Sequence, residues 1–183
     1  MARPTGWDAD AAVATLHPRR WKGQAWRFHQ RRYDSLDSAG SLLVSGRYNR
    51  GSDQFLEDQT WPALYLALRA ETALGEIVRH VTPGLLDKLN DFRMSELAVE
   101  LAAVLDCHDA TVLGLSSDDL TPDHDFEATQ ELAAAAIARG AEGILIPSAT
   151  GLGDNLIIFP AQLRSASRLA VVDSRDPRLY VKR

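Results

Sequence analysis

Between Ala63 and Val81 the spacing of hydrophobic positions changes from a period of two to that of a helix. Leu64, Leu66 and Leu68 alternate with Ala63, Tyr65 and Ala67, which predicts a strand with two different faces. Ala70, Ala73, Leu74, Ile77, Val78 and Val81 then recur at helical spacing, and Pro83 is placed to stop the helix. Glu76 lies off that apolar stripe, so its carboxylate is not committed to a deep core.

The same reading extends along the chain. Trp7 to Leu16 predicts a short helix ending near Pro18, and residues 1–24 read as an N-terminal extension packed through Trp7 or Trp21. Residues 25–183 would then form the main domain. Ala25 to His29 alternates and carries aromatics, as a strand does. Asp34 to Ser45 is rich in turn residues. Arg93 to Leu105 alternates loosely and reads as a strand. Phe126 to Ala138 is alanine-rich and helical, with Gly140 as its stop. Gly143 to Ile146 is a short buried strand ending at Pro147-Ser148. A turn at residues 151–154, a strand at Asn155 to Phe159 and a last strand at Leu169 to Val172 complete the chain. Strands and helices mixed without strict βαβ alternation predict an α+β fold.

Composition narrows the class. The chain has 183 residues, 45% hydrophobic and 25% charged, as a globular domain with its own core does. The single cysteine, Cys107, rules out an internal disulfide and suits a reducing cytoplasm. No apolar run approaches the roughly 20 residues of a membrane helix, and the first residues lack an apolar signal core. A net charge of −5 argues against direct nucleic-acid binding. The charge is segregated, however. Residues 1–50 hold nine Lys and Arg against four Asp and Glu, and residues 51–183 hold eleven against twenty-one. A basic region on an acidic protein suits a small phosphorylated ligand or an acidic partner, although a solvated basic face reads the same way.

Familiar signatures are missing. The five histidines lack zinc spacing, and Cys107-His108 alone is too little for a metal site. Gly151-Leu152-Gly153 is not a dinucleotide fingerprint, because Leu156 stands at the third glycine and a strand follows. A nucleotide would therefore enter as a substrate and not as a bound hydride carrier. No metal or cofactor is called for.

Five separate pieces carry a resemblance: Trp26-Arg27, Ser45-Gly46-Arg47-Tyr48-Asn49, Leu64-Tyr65-Leu66-Ala67, Thr72-Ala73-Leu74-Gly75-Glu76, and Ile146-Pro147-Ser148-Ala149 with Asn155 to Phe159. In this order they resemble the RES domain, named for its Arg, Glu and Ser. The resemblance implies a mixed, largely antiparallel sheet core with flanking helices, similar to ADP-ribosyltransferases. It also implies the toxin of a toxin–antitoxin pair that depletes NAD+ by hydrolysis or phosphorolysis. An Xre-type helix-turn-helix antitoxin would be its partner, in a homo- or hetero-oligomer.

The residues suit that chemistry. Cleaving the nicotinamide–ribose bond builds positive charge on the sugar, which the Glu76 carboxylate would stabilise. On pattern alone Glu76 is an exposed helix glutamate paired with Arg79 or His80, and Glu71 is a rival at the helix start. Arg27 and Arg47 would grip the pyrophosphate through paired hydrogen bonds. Tyr65, between two alanines on its face, leaves room for a flat ring, and Tyr48 could share that role; each also reads as a core tyrosine. Ser148 would meet ribose or phosphate with its hydroxyl but lacks a nucleophile elbow, and Asn155 would orient the site or cap a turn. Two other functions remain open. An ADP-ribosyltransferase cleaves the same bond toward a macromolecular acceptor, and a non-catalytic nucleotide- or antitoxin-binding module would keep the arginines but tolerate loss of Glu76.

Overall fold

The computed structural model describes residues 6–80 and 89–180, with the side chains of residues 78–80 excepted. Pro83, expected to stop a helix, lies outside the described residues. The helices are α1 (Ala9–Ala14), α2 (Gly40–Leu43), α3 (Ala70–His80), α4 (Ser117–Leu120) and α5 (Glu127–Ala138). The strands are β1 (Arg19–Gln30), β2 (Leu64–Ala67), β3 (Phe92–Asp106), β4 (Gly143–Pro147), β5 (Asp154–Ile158) and β6 (Arg168–Arg175).

The fold is α+β, with its sheet closed into a barrel. The strand order is β1-β2-β5-β4-β3-β6, and β1 also pairs with β3, so five strands form a ring that β6 joins from outside. Every pairing is antiparallel except β3 with β4. β1 begins at Arg19, so residues 19–24, read from the sequence as part of an extension, are the first half of a strand paired with β3. The short helices α2 and α4 are not visible in the hydrophobic pattern.

Three apolar clusters follow from the ring. Ala25, Leu66, Leu97, Val99, Leu145, Leu156 and Ile158, from all five strands, meet inside it. Ile144, Ile146 and Ile157 face outward and pack under α5 through Leu132, Ala133 and Ala136. Trp7 belongs to this second cluster and donates its indole N–H to the Leu113 carbonyl at 2.6 Å. Phe28, Ala67, Ala73 and Met94 form the third, beneath α3. α5 ends at Gly140, whose left-handed φ of 72° lets Ala141 N–H return to the Ala136 carbonyl.

The ring closes where β3 changes partners. Its far edge pairs with β6 at Met94–Glu100 and with β4 at Val104–Asp106. Between them the register slips, with Arg19 opposite Val104 but Trp21 opposite Leu101. This bulge leaves the N–H groups of Ala102 and Ala103 without a ladder partner on that edge. The fully buried Glu142 accepts both on Oε2, at 2.5 and 2.9 Å. Its Oε1 accepts Arg164 N–H at 2.6 Å and the Ser167 hydroxyl at 2.5 Å.

Burial alone would raise the Glu142 carboxyl, but the Ser167 hydroxyl and the N–H groups of Arg164, Ala103 and Ala102 outweigh it and hold it below its ordinary value. A value depressed by folding means that the stabilisation is complete above the unfolded value, and is lost as pH falls through the folded one. Glu142→Gln puts an amide donor against existing donors. It is expected to cost roughly 2–3 kcal/mol in urea titrations at neutral pH. Below about pH 4 the difference from wild type should shrink, because the wild-type carboxylate is then neutralised.

Candidate active site

α3, β1, β2 and the start of β5 enclose a cavity of about 320 Å³ on the outer surface of the barrel. Its apolar wall comes from Trp26 and Phe28 on β1, Ala67 on β2, Ala73 and Ile77 on α3, and Phe126 before α5. The polar side chains in the lining are those of Arg47, Glu76 and Asn155, with Tyr65 beside them. An apolar cleft with a few convergent polar groups is the usual form of a small-molecule site.

Glu76 is the most organised of these groups. Its Oε1 accepts the Ser148 hydroxyl at 2.5 Å, Asn155 Nδ2 at 2.8 Å and Ala149 N–H at 3.1 Å. Three donors on one oxygen fix the orientation of the carboxylate. Oε2 has no donor among the described residues, and Glu76 belongs to the cavity lining. Ladder geometry delivers the partners: Asn155 stands opposite Ala67 on β2 and Ile146 on β4, and Ser148 follows the end of β4. Glu71 is elsewhere, in a loose ion pair with Arg69 at 3.9 Å and outside the lining.

The turn at residues 45–49 supplies the opposite side. Asn49, nearly fully buried, anchors it. Its Nδ2 donates to the carbonyls of Ser41 and Val44, and its Oδ1 accepts the Tyr65 hydroxyl at 2.9 Å. A Cβ on Gly46 would lie 2.5 Å from Asn49 Oδ1 and 3.0 Å from the Tyr65 hydroxyl, so only glycine fits. Gln130 on α5 donates to the Gly46 and Asn49 carbonyls and fixes the turn from behind. Arg47 Nε donates to the Pro122 carbonyl at 3.0 Å, while its terminal nitrogens have no partner among the described residues. That leaves a guanidinium edge for an anion.

The tyrosines divide. Tyr65 lines the cavity with its ring, and its hydroxyl is spent on Asn49 and on Tyr48 N–H. Tyr48, expected to bind ligand, is fully buried and outside the lining. Its hydroxyl donates to the Leu120 carbonyl at 2.5 Å. Burial pushes both phenols well above their ordinary value.

Arg27 also lies apart. It shares the strand face of Ala25 and His29, which turns into the barrel, while Trp26 and Phe28 face the cavity. Its Nη1 donates to the Ser35 carbonyl at 2.7 Å. Burial lowers its value, and Asp37 and Asp34 oppose that. Beside it, His29 donates from Nδ1 to the Gln30 carbonyl at 3.0 Å, so Nε2 accepts the Ser95 hydroxyl at 2.9 Å, and burial favours this neutral ring. The structure thus brings together Glu76, Ser148, Asn155, Arg47 and Tyr65, and leaves Arg27 and Tyr48 outside. Cys107 is buried, its thiol pushed up to about 12 by burial, which makes a nucleophilic role unfavourable. Among the described residues no three His, Cys, Asp or Glu side chains could hold a metal ion, and no helix is long and apolar enough to cross a membrane.

The apolar wall residues have no role assigned from the sequence, Trp26 and Phe126 among them. Trp26 follows from strand parity once the outward face of β1 is known. Phe126 has no local signal; it follows Asp125, a non-glycine residue at φ 58°, in a loop tied to Arg47.

The RES domain model matches residues 24–181. The chain belongs to the RES domain family. Its RES fold is shared with a solved chain from the crystal structure of the M. tuberculosis MbcT-MbcA toxin-antitoxin complex, at 24% identity and a TM-score of 0.76. That match covers 94% of this chain and 93% of the other. No curated protein matches the chain.

If Tyr48 is core and not ligand-binding, Tyr48→Phe should lower stability by roughly 1–2 kcal/mol in urea titrations by orphaning the Leu120 carbonyl. The Trp26 indole N–H resonance should stay in place. Phe126→Ala should do the reverse, moving that resonance with little loss of stability.

Proposed function

We propose that this RES protein is the toxin of a toxin–antitoxin pair and depletes NAD+ by cleaving its nicotinamide–ribose bond, with water or phosphate as acceptor. One observation carries the reading: the Glu76 carboxylate, oriented by three donors on Oε1, lines an aromatic-walled cavity that Arg47 also lines. Family membership, and a fold shared with a chain of a toxin-antitoxin complex, support it.

The nicotinamide ring lies against the aromatic wall, near Trp26, Tyr65 and Phe126. Arg47 takes the pyrophosphate. As the bond between ribose C1′ and the ring nitrogen breaks, its electron pair passes to the ring, which becomes neutral nicotinamide. Positive charge then develops on C1′ and the ring oxygen, and the Glu76 anion stabilises it without forming a bond. A water or phosphate oxygen attacks C1′; attacking water loses a proton to solvent. Ser148 is a positioning residue in this scheme, since its proton is committed to Glu76. NAD+ is substrate, and no cofactor takes part. A core similar to ADP-ribosyltransferases, a cytoplasmic setting and an Xre-type antitoxin complete the proposal. Position 74 is leucine, so there is no Glu-x-Glu pair to position a macromolecular acceptor, which favours a small one.

Purified protein incubated with NAD+, with and without phosphate, should release nicotinamide. Glu76→Ala should reduce release by about a hundredfold or more. Arg47→Ala should raise KM by roughly tenfold with a smaller effect on kcat. Absence of release by wild type under both conditions overturns the reading, and release only with an added macromolecule replaces it with transferase activity.

A further inference from the structure

We infer that Thr150 is a positioning residue for Glu76, and that Gly75 is the clearance that seats it. The inference rests on the assignment of Glu76 as the charge-stabilising group.

The Ser148 hydroxyl has one proton and two lone pairs. At 2.5 Å from the Glu76 carboxylate its proton belongs on that bond. The contact between Ser148 Oγ and Thr150 Oγ1, at 2.7 Å, must then be donated by Thr150. Thr150 N–H donates to the same Ser148 oxygen at 3.1 Å, which uses its second lone pair. Thr150 Oγ1 in turn accepts Leu152 N–H at 3.1 Å. The chain therefore runs in one direction, from Leu152 N–H through Thr150 and Ser148 to Glu76 Oε1. Each bond polarises the next. Thr150 does not line the cavity, so it acts only through Ser148.

α3 receives this loop on one face. Thr72, Gly75 and Glu76 stand at helical spacing on that face. Thr72 Oγ1 donates to the Leu152 carbonyl at 2.9 Å. A Cβ on Gly75 would lie 3.1 Å from Thr150 Cγ2 and 3.4 Å from Leu152 Cδ1. Glycine is unfavourable inside a helix, and here the approach of Thr150 explains it.

The test uses steady-state nicotinamide release from NAD+ together with the Glu76 carboxyl carbon-13 resonance of the substrate-free protein. Thr150→Val keeps the shape and removes the hydroxyl. It should lower kcat roughly three- to tenfold, leave KM within about twofold, and shift the Glu76 resonance. Thr150→Ser keeps the hydroxyl and should match wild type on all three. In a Ser148→Ala background, Thr150→Val should have no further effect, because the chain is already cut. Gly75→Ala should lower kcat, and adding Thr150→Ser, which deletes the crowding methyl, should restore it. A Thr150→Val effect undiminished in Ser148→Ala, a Thr150→Ser variant as impaired as Thr150→Val, or an unmoved Glu76 resonance overturns the inference. A wild type silent toward NAD+ whose Glu76 resonance still moves in Thr150→Val overturns the proposed reaction and leaves the positioning role standing.

Discussion

The buried carboxylate of Glu142 sits at the point on which the rest of the molecule depends. β3 is long enough to pair with β1 along one edge, and with both β6 and β4 along the other. That change of partner needs a bulge, and the bulge frees two N–H groups in the buried part of the strand. Unpaired buried N–H groups are costly. Glu142 takes both, and reaches Arg164 and Ser167 with its other oxygen. It also donates its own N–H to the Ala103 carbonyl at 2.7 Å. The next residue, Gly143, starts β4, where a Cβ would lie 2.6 Å from the Ile157 carbonyl oxygen. Closure and the β4–β5 contact are therefore set within two residues.

Closure determines where the site falls. β1 and β2 meet at a single paired position, Trp26 with Ala67, and both residues line the cavity. A sheet joined so narrowly leaves an outward seam, and α3 covers it. β5 then places Asn155 beside Ala67, and the turn from β4 to β5 brings Ser148 and Thr150 onto the same helix face. Glu76 is gripped by groups separated from it by more than seventy residues. Its orientation is therefore a property of the closed barrel and not of α3.

This is why the legible parts of the sequence are the local ones. The strand at Leu64 and the helix from Ala70 are readable because their faces differ in hydrophobicity, and Gly140 because a left-handed stop needs glycine. The bulge in β3 is unreadable: the alanines at 102 and 103 continue the apolar run without marking it, and its cap, Glu142, lies about forty residues away in sequence. Strand parity on β1 could separate Trp26 from Arg27, but only the ring reveals which parity faces out. Tyr48 and Arg47 are neighbours in a turn, where no period says which one is buried. Phe126 reaches the cavity through a left-handed Asp125, a conformation that aspartate tolerates but does not announce.

The two arginines show what closure does to like residues. Arg47 spends Nε on the Pro122 carbonyl and keeps its terminal nitrogens for the cavity. Arg27 turns inward, where burial works against its charge and the carbonyl of Ser35 and the nearby Asp34 and Asp37 offset that cost. The same loop carries the Ser35 hydroxyl to Ser95 at 2.9 Å, and Ser95 also meets neutral His29. Arg27 and His29 thus tie the loop after β1 to the polar end of the barrel interior. Arg27 stands on the inward parity of β1, and the alternate parity places Trp26 and Phe28 on the cavity side. The Arg of the family pattern can be structurally necessary without touching a phosphate, whereas Arg47 has the free edge that phosphate recognition requires.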